Sequence, residues 1–279
     1  MTDVLSWHPH PDVWFTVGFL ALGYAYAIRR IGPKAVLPGQ TVVRTRQVVF
    51  WYLGVASLWA VSDYPFHDLA EGSLFSLHMV EHLVIAFAVA PLLLLGTPSW
   101  LARLFVEDTP WEGFVRAITR PVPAFVVFNV VFVGLHWPVI IEGMVTNPVV
   151  HFAVHLAMFL SALVMWMPIL SPIPDVLPTL SRPMQMLYLM GHSILPIVPA
   201  SFLTFGETAI YPVYEAFPRP FGWTAVEDQT MAGLIMKIGA GFLLWTIIAT
   251  IWFRWWEEQQ AVEAEERRRW DELEAELRS

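Results

Sequence analysis

Long apolar stretches alternate with short polar segments along the chain as far as residue 253. Most have the 17–25 or so residues that an α-helix needs to cross a lipid bilayer. The pattern predicts an all-α integral membrane protein, a bundle of about seven transmembrane helices embedded in the bilayer as a multi-pass protein. The predicted spans are residues 12–28, 46–62, 74–95, 122–137, 148–167, 184–205 and 230–253.

Two of these spans are less regular, and the chain ends in a segment of different character. The fourth span is short, and Pro196 and Pro199 are expected to break the sixth, because proline interrupts helices. Residues 1–253 are predicted to form the seven-helix transmembrane domain. Residues 254–279, rich in Glu and Arg, are predicted to form a charged, helical cytoplasmic tail.

The positions of the basic residues predict the orientation. The tail and the segments after the first, third and fifth spans contain every Lys and Arg except Arg219 and Lys237. Lys and Arg accumulate in cytoplasmic loops. We therefore expect the N-terminus outside and the C-terminus in the cytoplasm. The first ten residues have no basic segment, so no cleavable signal peptide is expected.

The composition limits the class of protein, its partners and the metal ligands that it can offer. Hydrophobic residues make up 56% of the chain and charged residues 14%, against about 25% charged residues in soluble domains. The net charge of −8 argues against a nucleic-acid partner. The 279 residues contain no cysteine, so a metal would have to be bound by His, Met, carboxylate or water.

Histidine is concentrated on the predicted outer side, where eight of the nine histidines fall, His192 being the exception. His78 and His82 lie near the outer end of the third span, and His151 and His155 near the outer end of the fifth. Residues four apart share one face of a helix. Two such pairs at matched depth predict a metal site with four imidazole ligands.

Other polar or thioether side chains could add ligands or hold the ligands in place. They are His67, Asp63, Glu81, His136, Asp228, Met231 and Met236. Asp228 is also expected to be the N-cap of the last transmembrane helix. Histidine with methionine and no cysteine favours copper, with zinc and haem as less favoured alternatives.

Several functions remain open at this point. His78, Glu81 and His82 form an H-x-x-E-H pattern, which would suit a membrane zinc hydrolase with Glu81 as the base. We favour Glu81 as a hydrogen-bond acceptor for a ligating imidazole, or as an additional hard ligand. A haem-binding cytochrome with one axial histidine from each of two helices is a third possibility, and a transporter is a fourth.

An ordered set of motifs resembles the multi-span CtaG family of cytochrome c oxidase assembly factors. The motifs are His78–His82 with Ala90–Pro98, His136-Trp137-Pro138, His151–His155 with Met165–Pro168, and Asp228–Met236. The resemblance implies a non-enzymatic protein of the bacterial inner membrane. It would handle copper for the binuclear centre of a haem–copper oxidase, with oxidase subunit I or other assembly factors as partners.

Three features depart from the pattern of that family. Glu81 stands where the family commonly has Gln, Lys237 stands where it commonly has Trp, and Met165-Trp166 stands in place of the family's usual aromatic pair. An unpaired Lys at membrane depth costs about 2.5–3.5 kcal/mol. We therefore expect Lys237 either to extend toward the interface or to pair with a carboxylate, Glu81 or Glu142. An ion pair between Lys237 and Glu81 would explain the departures at these two positions.

Overall fold

The computed structural model describes residues 7–219 and 221–278. All regular secondary structure in these residues is helical, which confirms the predicted all-α fold. The expectation about a signal peptide rests largely on residues 1–6, and these lie outside the described residues, as does the start of the predicted 1–253 domain.

The helices are numbered here in chain order. They are α1 (Pro11–Tyr26), α2 (Thr45–Ser62), α3 (Phe66–Gly72), α4 (Phe75–Gly96), α5 (Ser99–Val106), α6 (Glu112–Ile118), α7 (Pro121–Leu135), α8 (Pro138–Thr146), α9 (Pro148–Leu170), α10 (Arg182–Phe205) and α11 (Ala225–Arg278). A π-helical turn, Ala27–Ile31, and a short helix, Gly32–Ala35, extend α1, and a 3₁₀ turn, Pro212–Ala216, precedes α11. Further π turns lie within α4 and α11.

Four helices, α4, α9, α10 and α11, are long and apolar enough to cross a membrane. Helices α6 and α7 add a fifth candidate if they are counted as one span bent by 78°. These five correspond to the last five predicted spans. Helices α1 and α2 lie at the first two predicted positions but are not among the candidates. Helix α1 has 16 residues, fewer than the 17–25 or so of a span, and α2 begins with three polar residues, Thr45, Arg46 and Gln47.

Proline accounts for the interruption of α10. Its two segments, Arg182–Ile194 and Ile197–Phe205, meet at Leu195 and Pro196. Proline has no backbone N–H, and its ring clashes with the preceding turn of a helix. Pro199 is accommodated because it lies in the first turn of the second segment. The predicted break is therefore confirmed at Pro196, whereas Pro199 does not interrupt the helix.

Helix α4 lies at the centre of the bundle. Its most apolar window is 72% buried, against 28–39% for the other three candidate spans. Gly96 lets α2 approach closely, since a Cβ at this position would lie 2.6 Å from the backbone nitrogen of Trp51. From α9, the indole N–H of Trp166 donates to the carbonyl of Ala86 over 2.8 Å. Neighbouring helices therefore hold α4 along its length.

The beginning of α11 corrects one prediction. Thr224 caps this helix, because its hydroxyl accepts from the N–H of Glu227 and the Glu227 carboxylate accepts from the N–H of Thr224. The prediction that Asp228 is this N-cap is wrong. Asp228 instead accepts hydrogen bonds from the backbone N–H groups of Phe75 (2.7 Å) and Ser76 (3.1 Å). It therefore caps α4 from a different helix.

Candidate metal centre

Histidines from three helices converge where α3, α4 and α9 meet. In α4, the ring centroids of His78 and His82 lie 4.2 Å apart. In α9, those of His151 and His155 lie 4.4 Å apart. The two pairs face each other, with 5.0 Å between the centroids of His82 and His155. The spacing argument therefore identified four side chains that are neighbours in the fold, and α3 adds a fifth imidazole, that of His67.

His78, His82 and His155 form what we call the inner group. One ligand nitrogen from each lies within 4.8 Å of the others. His78 and His82 are 0% and 3% exposed. Both ring nitrogens of these two residues, and Nε2 of His155, have no hydrogen-bond partner among the described residues. Buried polar atoms are normally paired, and neutral imidazole is a common metal ligand. The inner group therefore fits a metal ion.

His67, Glu71 and His151 form a second cluster of this kind, the outer group, again with ligand atoms within 4.8 Å of one another. Glu71 Oε1 lies 3.2 Å from His67 Nε2 and in close contact with His151 Nε2. The structure thus divides the four predicted histidine ligands, placing three in the inner group and His151 in the outer group. Sequence reasoning missed Glu71, although it follows His67 by four residues and so shares its helix face.

The carboxylate of Glu81 lies between the two groups and is fully buried. Its Oε1 is 3.1 Å from Nδ1 of His67 and 3.6 Å from Nδ1 of His155. The hydroxyl of Ser62 also donates to this oxygen. Carboxylates in such positions accept the ring N–H of a ligating histidine and so fix its orientation. Since Nδ1 faces Glu81 in both rings, Nε2 of each is left for a metal ion.

Charge at the outer group is set by the carboxylates of Glu81, Glu71 and Asp68. Burial opposes protonation of His67, but the hydrogen bond and negative charge of Glu81, with Glu71 and Asp68, raise the pKa of His67 to about 9. Burial raises the pKa of Glu71 to about 7, against the opposing charge of His67. Protons and a metal ion would therefore compete for this group at neutral pH.

Two further candidate ligands lie in neither group. Asp63 accepts from the indole N–H groups of Trp14 (3.0 Å) and Trp59 (2.6 Å), so it ties α1 to the end of α2. The Nδ1 atom of His136 bonds to the carbonyl of Phe132 over 2.6 Å. The buried Nε2 of His136 has no partner among the described residues.

The remaining candidates from α11 take part in packing. Met236 is 2% exposed and belongs to the main hydrophobic core, whereas Met231 is partly exposed at the surface. Both carboxylate oxygens of Asp228 are occupied by the backbone of α4.

Lys237 lies against an aromatic ring and not against either of the carboxylates considered as partners for it. Its ammonium group lies 4.7 Å from the centroid of the Phe205 ring, a cation–π contact. Among the described residues, no ion pair links Lys237 to Glu81 or Glu142. The expected carboxylate pairing is therefore not formed, and the partners of Glu81 are histidines and Ser62.

Both groups border a common space. A cavity of about 200 Å³ lies between α1, α2 and α9, and its lining is mostly apolar. Its polar lining includes Glu81, His155 from the inner group, and His67 and His151 from the outer group. Above it, His10 bonds to Asp68 over 3.1 Å and packs edge-on against His67. His10 and Asp68 are 58 positions apart in the sequence, so no local pattern could predict this contact.

A family model matches most of the chain. The model described as cytochrome c oxidase caa3 assembly factor (Caa3_CtaG) matches residues 6–258, and this range contains both the inner and the outer group. Searches of curated proteins and of solved structures find no significant match.

Proposed function

The chain belongs to the Caa3_CtaG family of cytochrome c oxidase caa3 assembly factors, and we propose that it handles copper for the binuclear centre of the oxidase that it helps to assemble. In this proposal copper is cargo, held at the inner group and passed on. The direct partner is oxidase subunit I or another assembly factor. Membership in an assembly-factor family favours a non-enzymatic role.

The observation that carries the proposal is the set of unpartnered nitrogens in the inner group. His78, His82 and His155 offer three neutral imidazoles, a donor set that suits copper. A carrier must also release its ion. With no cysteine in the chain, the site has no thiolate to hold copper irreversibly, so an all-imidazole site fits a protein that transfers its metal.

The surroundings of Glu81 support the copper proposal over a zinc hydrolase. A general base must be free to take a proton from a metal-bound water. The Glu81 carboxylate is instead held by His67, Ser62 and His155. These contacts suit an acceptor that orients ligating imidazoles, which was the role favoured from the sequence.

The place of the site along its helices agrees with the proposed topology. His78 and His82 are the fourth and eighth residues of α4, and His151 and His155 are the fourth and eighth residues of α9. Both helices start, in our proposal, at the outer face of the bacterial inner membrane. The distribution of Lys and Arg supports seven spans with the N-terminus outside and the C-terminus in the cytoplasm.

Copper binding by single-site variants tests the proposal. The purified protein should bind Cu⁺ in competition with a chromophoric chelator. His78→Ala, His82→Ala and His155→Ala should each weaken that binding by more than the roughly 10–100-fold expected for loss of a group that only orients a ligand. In cells, the same variants should lower the copper content of the oxidase while the assembly factor still accumulates in the membrane.

A matched control is available in His192→Gln, which alters another buried histidine, bonded to Asn129 and outside both groups. This variant should bind Cu⁺ as the wild type does. Wild-type Cu⁺ affinity and normal oxidase copper in all three inner-group variants would refute the proposed centre.

A further inference from the structure

We infer that the outer group is a second cation site, which takes a divalent ion of the Zn²⁺ and Cu²⁺ class. Its ligands are His67 and Glu71 from α3 and His151 from α9. The site is distinct from the copper centre proposed above. The outer group can hold a cation whichever ion the inner group holds.

The donor set of the outer group is harder than that of the inner group. Two imidazoles and one carboxylate suit Zn²⁺ and Cu²⁺, whereas carboxylate is a poor partner for Cu⁺. The buried Glu71 Oε1 and His151 Nε2 are in close contact, yet neither makes a hydrogen bond with the described residues. His67 Nε2 lies 3.2 Å from the same oxygen. Three potential ligand atoms therefore converge within ion-pairing distance of one another, as the ligands of a bound cation would.

Glu81 places a carboxylate between the two neighbouring cation sites. The rings of His67 and His155, one from each group, have centroids 6.2 Å apart. Cations held at both groups would repel each other strongly in a buried setting. The Glu81 carboxylate lies between these rings, near Nδ1 of each. Its negative charge offsets that repulsion, and it orients one ligand of each site.

The outer group is also the more accessible of the two. The side chain of Glu71 is 34% exposed, whereas His78 is fully buried. Glu71 and Asp68 line a surface depression of about 390 Å³. Aqueous cations can therefore reach the outer group without crossing the apolar part of the bundle.

Metal stoichiometry of the purified full-length protein in detergent tests this inference. After equilibrium dialysis against Zn²⁺ alone, elemental analysis should find two ions per chain in the wild type. Glu71→Gln, which removes the anionic ligand with little change of shape, should retain one. The double variant His78→Ala/His82→Ala should also retain one, held at the outer group. X-ray absorption of that remaining ion should show only nitrogen and oxygen ligands, with two imidazoles.

Glu142→Gln is the matched control, since Glu142 is exposed on α8 and belongs to neither group. It should bind two Zn²⁺ ions. If Glu71→Gln proves unstable in gel filtration, His151→Gln tests the same site from α9. One Zn²⁺ per wild-type chain, or two bound with wild-type affinity by both outer-group variants, would overturn the second site. Persistent Cu⁺ binding in the inner-group double variant, with outer Zn²⁺ intact, would instead refute the copper centre and support the outer site.

Discussion

Replacing Asp228 with asparagine should loosen the start of α4 without changing how many metal ions the chain binds. The carboxylate is fully buried and accepts two backbone hydrogen bonds, from Phe75 at 2.7 Å and Ser76 at 3.1 Å. A guanidinium nitrogen of Arg219 lies 3.8 Å away. These contacts make Asp228 an anchor between α11 and α4, two helices that are distant in sequence.

The cost of this substitution follows from the lost contacts. Asparagine keeps one carbonyl oxygen but places an NH₂ group where the second oxygen accepted, so one α4 N–H loses its partner. Leaving a buried donor unsatisfied costs about 1–3 kcal/mol, and hydrogen bonds to a charged group contribute about 1.5–3 kcal/mol. Loss of a side-chain cap costs about 0.5–2 kcal/mol. These figures overlap, and together they predict a loss of about 2–4 kcal/mol.

Unfolding by SDS titration in mixed micelles measures this loss, and hydrogen exchange at the amides of Phe75 and Ser76 locates it. Asp271→Asn, an exposed position on the tail, provides the same chemical change without the buried contacts and should leave both readouts unaltered. Elemental analysis should find the same metal content in both variants. Unchanged stability together with the loss of one metal ion from Asp228→Asn would refute the anchoring role and make Asp228 a ligand.

Two other substitutions test contacts of α11. Gly233→Ala should destabilise the protein by about 1–3 kcal/mol, as overpacking does. The added Cβ would lie 2.5 Å from the Thr204 hydroxyl and 2.7 Å from the Ala200 carbonyl. Unchanged SDS unfolding would show that α10 and α11 can separate freely. Lys237→Met should cost no more than about 1 kcal/mol, since it removes a cation–π contact with the exposed Phe205. A larger loss in the same assay, or altered metal binding, would point to a carboxylate partner.

The facing pairs of histidines were predictable because helical periodicity is a local property. A four-residue spacing places two side chains on one face whatever the surrounding fold. His78 and His82 in α4, and His151 and His155 in α9, follow that rule. The apolar stretches that carry them likewise predicted the five candidate spans, since length and hydropathy can be read directly from the chain.

Short elements and distant partners were harder to predict. Helix α3 has seven residues, too few to show a periodic pattern, so Glu71 was missed although its spacing from His67 is the same as in the longer helices. The cap of α11 had a local signal, the Thr224-x-x-Glu227 capping box, which was overlooked in favour of Asp228. No local signal could show that Asp228 bonds to Phe75, because they are 153 positions apart in the sequence.

The division of the histidines into two groups depends on how helices are placed relative to one another, which sequence spacing does not specify. Spacing determines which residues share a helix face, but the rotation and depth of α9 against α4 decide which imidazole meets which. Helix α4 is held near its start by Asp228, in its middle by Trp166 and near its end by the close approach of Trp51. Two inner-group histidines therefore lie on a fixed element, as a preorganised site requires. His151, by contrast, faces Glu71 on the short helix α3. Because that partner was not predicted from the sequence, the prediction found the four imidazoles but not their separation into two groups.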